Sequence, residues 1–296
     1  MTPTSYSVIC FGEILWDCLP DGDLPGGAPM NVALHLNQLG VSATIISRVG
    51  NDAYGNDILQ YIAERGVDTR YIQFDEQHPT GTVEADVSDP TAVTYTINYP
   101  VAWDFIKKDQ DAEKQVQSSQ ILLYGSLATR NETSYQALKA LLHLSSFNVF
   151  DVNLRQPHFT KKRIEELLLA ANLVKMNDEE LALISSWYGH EPDPDQQMQL
   201  LASTFSLESL CVTRGANGAK LLDQGHIYTH KGYRVTVKDT IGSGDAFLAA
   251  LLAQRLQGKP APGQLAYACA VGAVVATYSG ATPVIEPETI KALTRN

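Results

Sequence analysis

Cysteine is scarce in this chain. Four occur in 296 residues (Cys10, Cys18, Cys211 and Cys269), and no two form a C-x-x-C pair. That spacing gives neither a zinc site nor a disulfide framework, and buried reduced thiols are the plain reading. Long hydrophobic runs are missing as well. The longest small-and-apolar stretch, Leu265 to Ala276, falls short of the ~20 residues that a membrane-spanning helix needs. The opening Met1-Thr2-Pro3-Thr4-Ser5-Tyr6-Ser7 has no charged region ahead of an apolar one, so it does not read as a secretory signal. A cytoplasmic protein is expected. Basic residues are in the minority, 22 Lys and Arg against 33 Asp and Glu, for a net charge of −11. Nucleic-acid binding needs a basic stripe to displace phosphate counterions, and the densest basic cluster here is only Lys161-Lys162-Arg163. Neither internal repeats nor low-complexity segments occur.

The apolar share is 44%. Length alone suggests two domains, yet α/β proteins often use such a length as one. Apolar runs of strand length recur at Val8–Phe11, Ala43–Val49, Ile121–Tyr124, Asn148–Val152, Leu173–Met176 and Leu210–Thr213. They are apolar on both faces, as strands covered on both sides must be. Helical segments fall between them: Asp52 to Arg65, closed by Gly66, then Asn131 to Leu142, Lys161 to Ala171 and Asp178 to Ile184. The alternation predicts a mostly parallel sheet with helices on both faces. Gly189 to Asp195, with two prolines, reads as a loop. One region departs from the rhythm. Val83, Ala85 and Val87 alternate with polar residues, as do Val93, Tyr95, Ile97 and Tyr99, around an Asp89-Pro90 turn. That is a hairpin with one open face. Ile14 to Leu19 can join it, making a small sheet that serves as a lid or a dimer contact.

The sharpest local feature is Asp239-Thr240-Ile241-Gly242-Ser243-Gly244-Asp245, followed by Ala246-Phe247-Leu248-Ala249-Ala250-Leu251-Leu252. The second part reads as a core helix. Small residues at its start let backbone N–H groups converge, and the helix end adds partial positive charge, so the turn can hold an anion. Asp245 sits in the first helical turn. Such an Asp often only caps; beside an anion hole it can also accept a hydroxyl proton during phosphoryl transfer, kept ionised and weakly basic by the helix dipole. Neither a Walker A lysine nor a dinucleotide fingerprint accompanies it. A second glycine-rich helix start is Gly26-Gly27-Ala28-Pro29-Met30-Asn31-Val32-Ala33, running to Leu39-Gly40. Gly27 allows close approach to a ligand, and Asn31 offers a donor and an acceptor to hydroxyls. Asp17, after Trp16, suits a sugar held by a carboxylate and an aromatic face, although taken singly such an Asp is more often a surface residue.

Together these elements resemble the ribokinase-like, phosphofructokinase-B type sugar kinases. The first glycine-rich stretch, six residues to Gly40 and nine more to Gly50, looks like that family's N-terminal signature, and Asp239 to Asp245 like its C-terminal one. Asn177-Asp178-Glu179-Glu180 and Thr213-Arg214-Gly215 resemble two further family motifs, and the likeness covers essentially the whole chain. Gly12-Glu13, Trp16-Asp17, Ala102-Trp103-Asp104 and Phe150-Asp151-Val152-Asn153-Leu154-Arg155 look most like the fructokinases within it.

The resemblance implies a three-layer α/β/α sandwich of residues 1–296 as a single domain. Its small β lid would come from about 14–24 and 71–104. The implied reaction is ATP-dependent phosphorylation of a sugar hydroxyl, most like fructose to fructose phosphate. Asp245 would be the base, and the N–H groups of Ile241, Gly242, Ser243 and Gly244 the anion hole. Asp17, Gly27, Asn31 and Trp103 would hold the sugar, with Arg155 reaching the sugar or the transferred phosphate. Asn177 and Glu180 would act near Mg²⁺ and phosphates through water. Thr213 and Gly215 would contact nucleotide phosphates, with adenine between the Gly215–Gly218 turn and a helix from Leu265 to Thr277. Arg214 is expected to add a positive contact to ATP. The family also implies a monovalent cation such as K⁺ beside the anion hole, on Asp239, the carbonyl of residue 241 and the loop 279–284, although Val284 stands where some relatives carry a hydroxyl. Lid-to-lid pairing would give a homodimer. The alternatives are ribokinase, a 2-keto-3-deoxygluconate kinase gripping its carboxylate through Arg155, a nucleoside kinase, and a non-catalytic sugar sensor on a kinase scaffold.

Overall fold

A computed structural model of the chain describes residues 7–20, 22–86 and 94–294. Its strands are β1 (Ser7–Phe11), β2 (Leu15–Leu19), β3 (Gly22–Gly26), β4 (Ser42–Gly50), β5 (Ile72–Asp75), β6 (Gly81–Asp86), β7 (Thr94–Ile97), β8 (Ile121–Gly125), β9 (Asn148–Asp151), β10 (Leu173–Asn177), β11 (Ser209–Thr213), β12 (Ala219–Asp223) and β13 (His226–His230). Nine of them form one sheet, ordered β13-β12-β11-β10-β9-β8-β1-β4-β5. From β5 to β11 every neighbouring pair is parallel, while β12 and β13 join as an antiparallel hairpin. Each of the six apolar runs is one of the parallel strands. The sequence did not announce β5, β12 and β13. They lie at or next to the sheet's two margins, where less surface is covered and fewer apolar residues are needed; Phe74 in β5 is 48% exposed.

Alternation along β1 shows how the layers arise. Val8 and Cys10 point into one core and Ile9 and Phe11 into the other, one core on each face of the sheet. The helices Ala28–Gln38, Ser243–Leu256 and Ala261–Val275 cover the first face. The helices Glu132–Leu142, Lys161–Leu169 and Pro194–Phe205 cover the second. Caps fix several starts: Asp52, Asn131 and Thr160 each accept a backbone N–H of the helix that follows. The predicted 189–195 loop ends early, because Asp193 caps a helix with Pro194 in its first turn. Cys10, Cys211 and Cys269 are buried free thiols, and Cys18 is half-buried. Among the described residues no helix is long and apolar enough to cross a membrane.

The small sheet runs β3-β2-β6-β7, with β2 parallel to β6 and the other pairs antiparallel. Two segments distant in sequence thus meet as expected, although the Asp89-Pro90 turn lies outside the described residues. The expected bounds, 14–24 and 71–104, need correcting. The strands of this sheet are Leu15–Leu19, Gly22–Gly26, Gly81–Asp86 and Thr94–Ile97; Ile72–Asp75 belongs to the large sheet, and Ala102–Phe105 is a short helical turn packed into the core.

Candidate active site

The parallel strands all point their C-terminal ends at one rim, and chain direction diverges on either side of β1, where β4 and β8 flank it. Open α/β sheets leave a crevice at such a switch point. Here a cleft of about 530 Å³ lies under the small sheet. Leu15, Asp17 and Leu19 of β2, Val83 of β6, and Tyr95 and Ile97 of β7 look into it from the lid. Gly27, Asn31, Asn153, Arg155, Lys175, Gly242, Gly244 and Asp245 line it from the body.

Asp245 is placed by the first turn of the Ser243–Leu256 helix. Asn31, nearly buried in the Ala28–Gln38 helix, donates through Nδ2 to Asp245 Oδ2 at 2.8 Å, and among the described residues its Oδ1 has no partner. Asn31 thereby fixes the carboxylate and keeps an acceptor for a ligand hydroxyl. Gly27 has φ +114, and a Cβ there would collide with the Glu13 carbonyl, so the helix-entry loop touches the β1–β2 connection at backbone level. Burial, then the neighbouring Asp151, pushes Asp245 up to about 6, while Lys175, Asn31 and Arg155 pull it down. The expected weak base is therefore a stronger one. A helix N-terminus is worth only about 0.3–1 kcal/mol at a surface, and desolvation outweighs it here. Burial likewise raises Asp17 to about 6 and Glu13 to about 7, against the opposing charge of Arg155.

Fewer N–H groups of this turn are free for an anion than predicted. The Ile241 N–H donates to Asp239 Oδ1 at 3.0 Å and the Ser243 N–H to the Thr240 carbonyl at 3.2 Å. Ser243 Oγ turns away to the Gly272 carbonyl. The N–H groups of Gly242, Gly244 and Asp245 keep no acceptor among the described residues, so these are the donors that remain for an anion. Gly242, at φ +73, makes the turn, and any Cβ there would run into the Ala281 backbone. Asp239 accepts from the Gly280 N–H as well as from Ile241, so its carboxylate ties the two loops of the predicted cation site together.

Two sugar-contact expectations fail. Trp103 is fully buried in the second core, its ring under the Arg130 guanidinium, and does not line the cleft. Trp16 stacks near Tyr54 and donates to its carbonyl, because residues 16 and 17 of a strand face opposite ways. The sugar would therefore meet Leu15, Leu19, Val83, Tyr95 and Ile97 in place of a tryptophan face.

On the nucleotide side, Asn177 and Glu180 form a reciprocal cap. Asn177 Oδ1 accepts from the Glu180 N–H at 2.7 Å, and Glu180 Oε2 from the Asn177 N–H at 2.9 Å. Glu180 Oε1 accepts from the Leu154 N–H, next to Arg155. Both Glu180 oxygens are thus engaged, and among the described residues no cluster of three or more His, Cys, Asp or Glu is placed to hold a metal. A water-mediated contact to Mg²⁺ fits this arrangement, with most of the ion's shell left to phosphates and water. Thr213 lies beside Asn177 in the sheet. Gly215 and Gly218 both have positive φ, and a Cβ on Gly218 would meet the His230 carbonyl. Arg214 Nη2 donates to the Asn217 carbonyl across this turn, while Nε is buried without a partner among the described residues. If that unpartnered edge serves ATP, Arg214→Ala raises the KM for ATP about tenfold, the size of one charge-assisted bond. An unchanged KM in steady-state kinetics removes the contact.

Residues 22–288 match the pattern described as pfkB family carbohydrate kinase. The chain belongs to the pfkB family of carbohydrate kinases. It is 31% identical to a fructokinase of Escherichia coli over 262 residues, 84% of either chain. It is also 31% identical to a fructokinase of Klebsiella pneumoniae over 291 residues, 91% of this chain and 93% of that one. A crystal structure of fructokinase from Vibrio cholerae O395 in a fructose, ADP and calcium ion bound form superposes with a TM-score of 0.83 at 25% identity, covering 98% of this chain and 99% of that one. For this pfkB kinase, geometry adds residues to which sequence reasoning gave no role: Glu13, Asp151, Asn153 and Lys175 gather around Asp245. Lys175 carried a signal, a charge in the middle of the apolar run Leu173-Val174-Lys175-Met176.

Proposed function

We propose that this kinase transfers the γ-phosphoryl group of ATP to a hydroxyl of fructose. One observation carries the reading: a carboxylate held by Asn31 stands beside open backbone N–H groups at the floor of a lidded cleft. The relatives named fructokinase support the choice of sugar. The acceptor hydroxyl lies between Asp245 and the Gly242–Gly244 turn, with Asn31 Oδ1 and Asp17 accepting from neighbouring hydroxyls. The lid excludes water and holds the hydroxyl in line with the γ-phosphorus. Asp245 takes the hydroxyl proton as the new O–P bond forms, and the Gly242 and Gly244 N–H groups receive phosphoryl oxygens. Mg²⁺, when bound with ATP, neutralises phosphate charge; Arg155 adds a cation from the sugar side. K⁺ beside Asp239 would further order the loop around Gly280.

A sugar acid suits this pocket less well, because Glu13 and Asp17 repel a carboxylate and Arg155 alone attracts it. Among the described residues the small sheet leaves β3 and β7 as open edges, which supports pairing of two lids in a homodimer. The buried free thiols and the acidic surface support a cytoplasmic enzyme.

The decisive test is ADP release across fructose, ribose, glucose, 2-keto-3-deoxygluconate and adenosine. Fructose is expected to give a kcat/KM at least about tenfold above the others, about the discrimination a few sugar contacts supply. A higher value for ribose or the sugar acid replaces fructose, and fructose-induced thermal stabilisation without ADP formation replaces the kinase by a sensor. The pH profile follows from Asp245. Activity needs the ionised carboxylate, so kcat/KM falls on acidification through about pH 6 rather than near 4, as one limb shared by the coupled Asp245, Asp17 and Glu13. Full activity at about pH 5 contradicts this assignment.

A further inference from the structure

Lys175 sits in the middle of β10, a strand buried on both faces, and is itself buried. Its Nζ donates to Asp151 Oδ1 at 3.0 Å, across neighbouring parallel strands. An ammonium has three N–H donors, and among the described residues this is its one acceptor. The remaining donors lie at the floor of the cleft. A Cβ placed on Gly244 would stand 3.2 Å from Nζ, so the ammonium lies against a residue of the turn that has no side chain to shield it. Gly244 also supplies one of the free N–H groups of the anion hole.

A fixed ammonium and a free amide therefore converge on one point from two separate elements. Charge balance gives the same direction. Asp151, Asp245 and Glu180 surround Lys175, and together they outweigh the cost of its burial, so it stays protonated. A purely structural pair at this depth is a poor investment, since two apolar side chains of the same volume stabilise a core as well or better.

We propose that Lys175 is a catalytic residue of this kinase, its ammonium donating to a non-bridging oxygen of the γ-phosphoryl as it passes from ATP to the sugar, with Asp151 as the residue that positions it. The proposal rests on phosphoryl transfer at Asp245. The sugar oxygen forms its bond to the γ-phosphorus as the bond to the β,γ-bridging oxygen breaks. That bond's electron pair leaves with ADP, and the hydroxyl proton goes to Asp245. Lys175 neither gains nor loses a proton; it meets negative charge on the moving group. Gly244 is a glycine, on this reading, because a methyl group would come between the ammonium and the phosphoryl.

The test compares Lys175→Met and the charge-balanced Lys175→Met/Asp151→Asn with wild type. The readouts are kcat, the KM for fructose, and the thermal shifts given by fructose and by ADP with Mg²⁺ and aluminium fluoride, a mimic of the moving phosphoryl. Both variants are expected to lose about 100-fold or more in kcat, the loss typical of a single transition-state donor. Their KM for fructose and fructose-induced shift are retained, while the extra stabilisation by aluminium fluoride over ADP alone disappears. If the single variant does not fold, the neutral double variant decides. A folded double variant with kcat within about threefold of wild type overturns the role, since a structural pair tolerates paired neutralisation. Retention of the full aluminium fluoride shift overturns it equally. Wild type that forms no ADP with any sugar overturns phosphoryl transfer itself, and this role with it, which separates the two failures.

Discussion

Asp245→Asn is expected to lower kcat by about a thousandfold, within the usual range for loss of a positioned base. The substitution preserves shape, and the new amide can still accept from Asn31 Nδ2 through its oxygen. Binding of sugar and nucleotide is therefore expected to persist. Stability should not fall. The folded-state pKa of Asp245 is raised to about 6, so the folded protein binds this proton more tightly than the unfolded chain. The stabilisation from that group is fully present near pH 4 and is lost as pH rises through about 6. At neutral pH wild type bears the burden of a desolvated charge that Asn lacks. The Tm of Asp245→Asn at pH 7–8 should thus equal or exceed that of wild type, by about 2 °C if roughly 1 kcal/mol is relieved. A kcat within tenfold of wild type removes Asp245 from its role, and a clearly lower Tm shows the carboxylate to be structural.

Gly242→Ala is expected to cost as much by a different route. Its φ of +73 disfavours any side chain, and the added methyl would lie 2.6 Å from Ala281 Cα with the Ala281 carbonyl closer still. That carbonyl is also held by His35 Nε2 at 2.9 Å, so the loop behind the turn has no easy retreat. The turn must open, taking the Gly242 and Gly244 N–H groups off the phosphoryl. Loss of about 10²–10³-fold in kcat follows from one or two such donors, with about 1–3 kcal/mol of stability lost to backbone strain. The thermal shift caused by fructose alone should survive, because Asp17 and Asn31 sit on other elements. Turnover near the wild-type rate would mean that this turn does not form the anion hole.

The sequence made different parts of this molecule legible for different reasons. Asp245 and Gly242 stood out because one short segment holds the turn, the helix start and the carboxylate together. The central strands stood out because burial on both faces demands continuous apolar runs. Strands β12 and β13 did not, since a marginal hairpin can mix His, Lys and Asp into its strands. Trp103 was misplaced because a motif read along the chain does not say which way a side chain turns, and here it turns into the core. The competition for N–H groups around Ile241 and Ser243 was equally hidden, since it depends on how Asp239 and Thr240 fold back. Lys175 was visible as an odd charge in an apolar strand, but its meaning required Gly244, which lies far along the chain.

The Asn31–Asp245 bond joins residues 214 positions apart. A ribosome completes the sugar-side helix long before it supplies the helix that carries the base. Every shorter nascent chain that lacks the Ser243–Leu256 helix lacks Asp245 and also the neighbour on which the Ala28–Gln38 helix packs. On the role proposed for Asp245, catalysis switches on only with the last portion of the fold, and an unfinished molecule does not spend ATP.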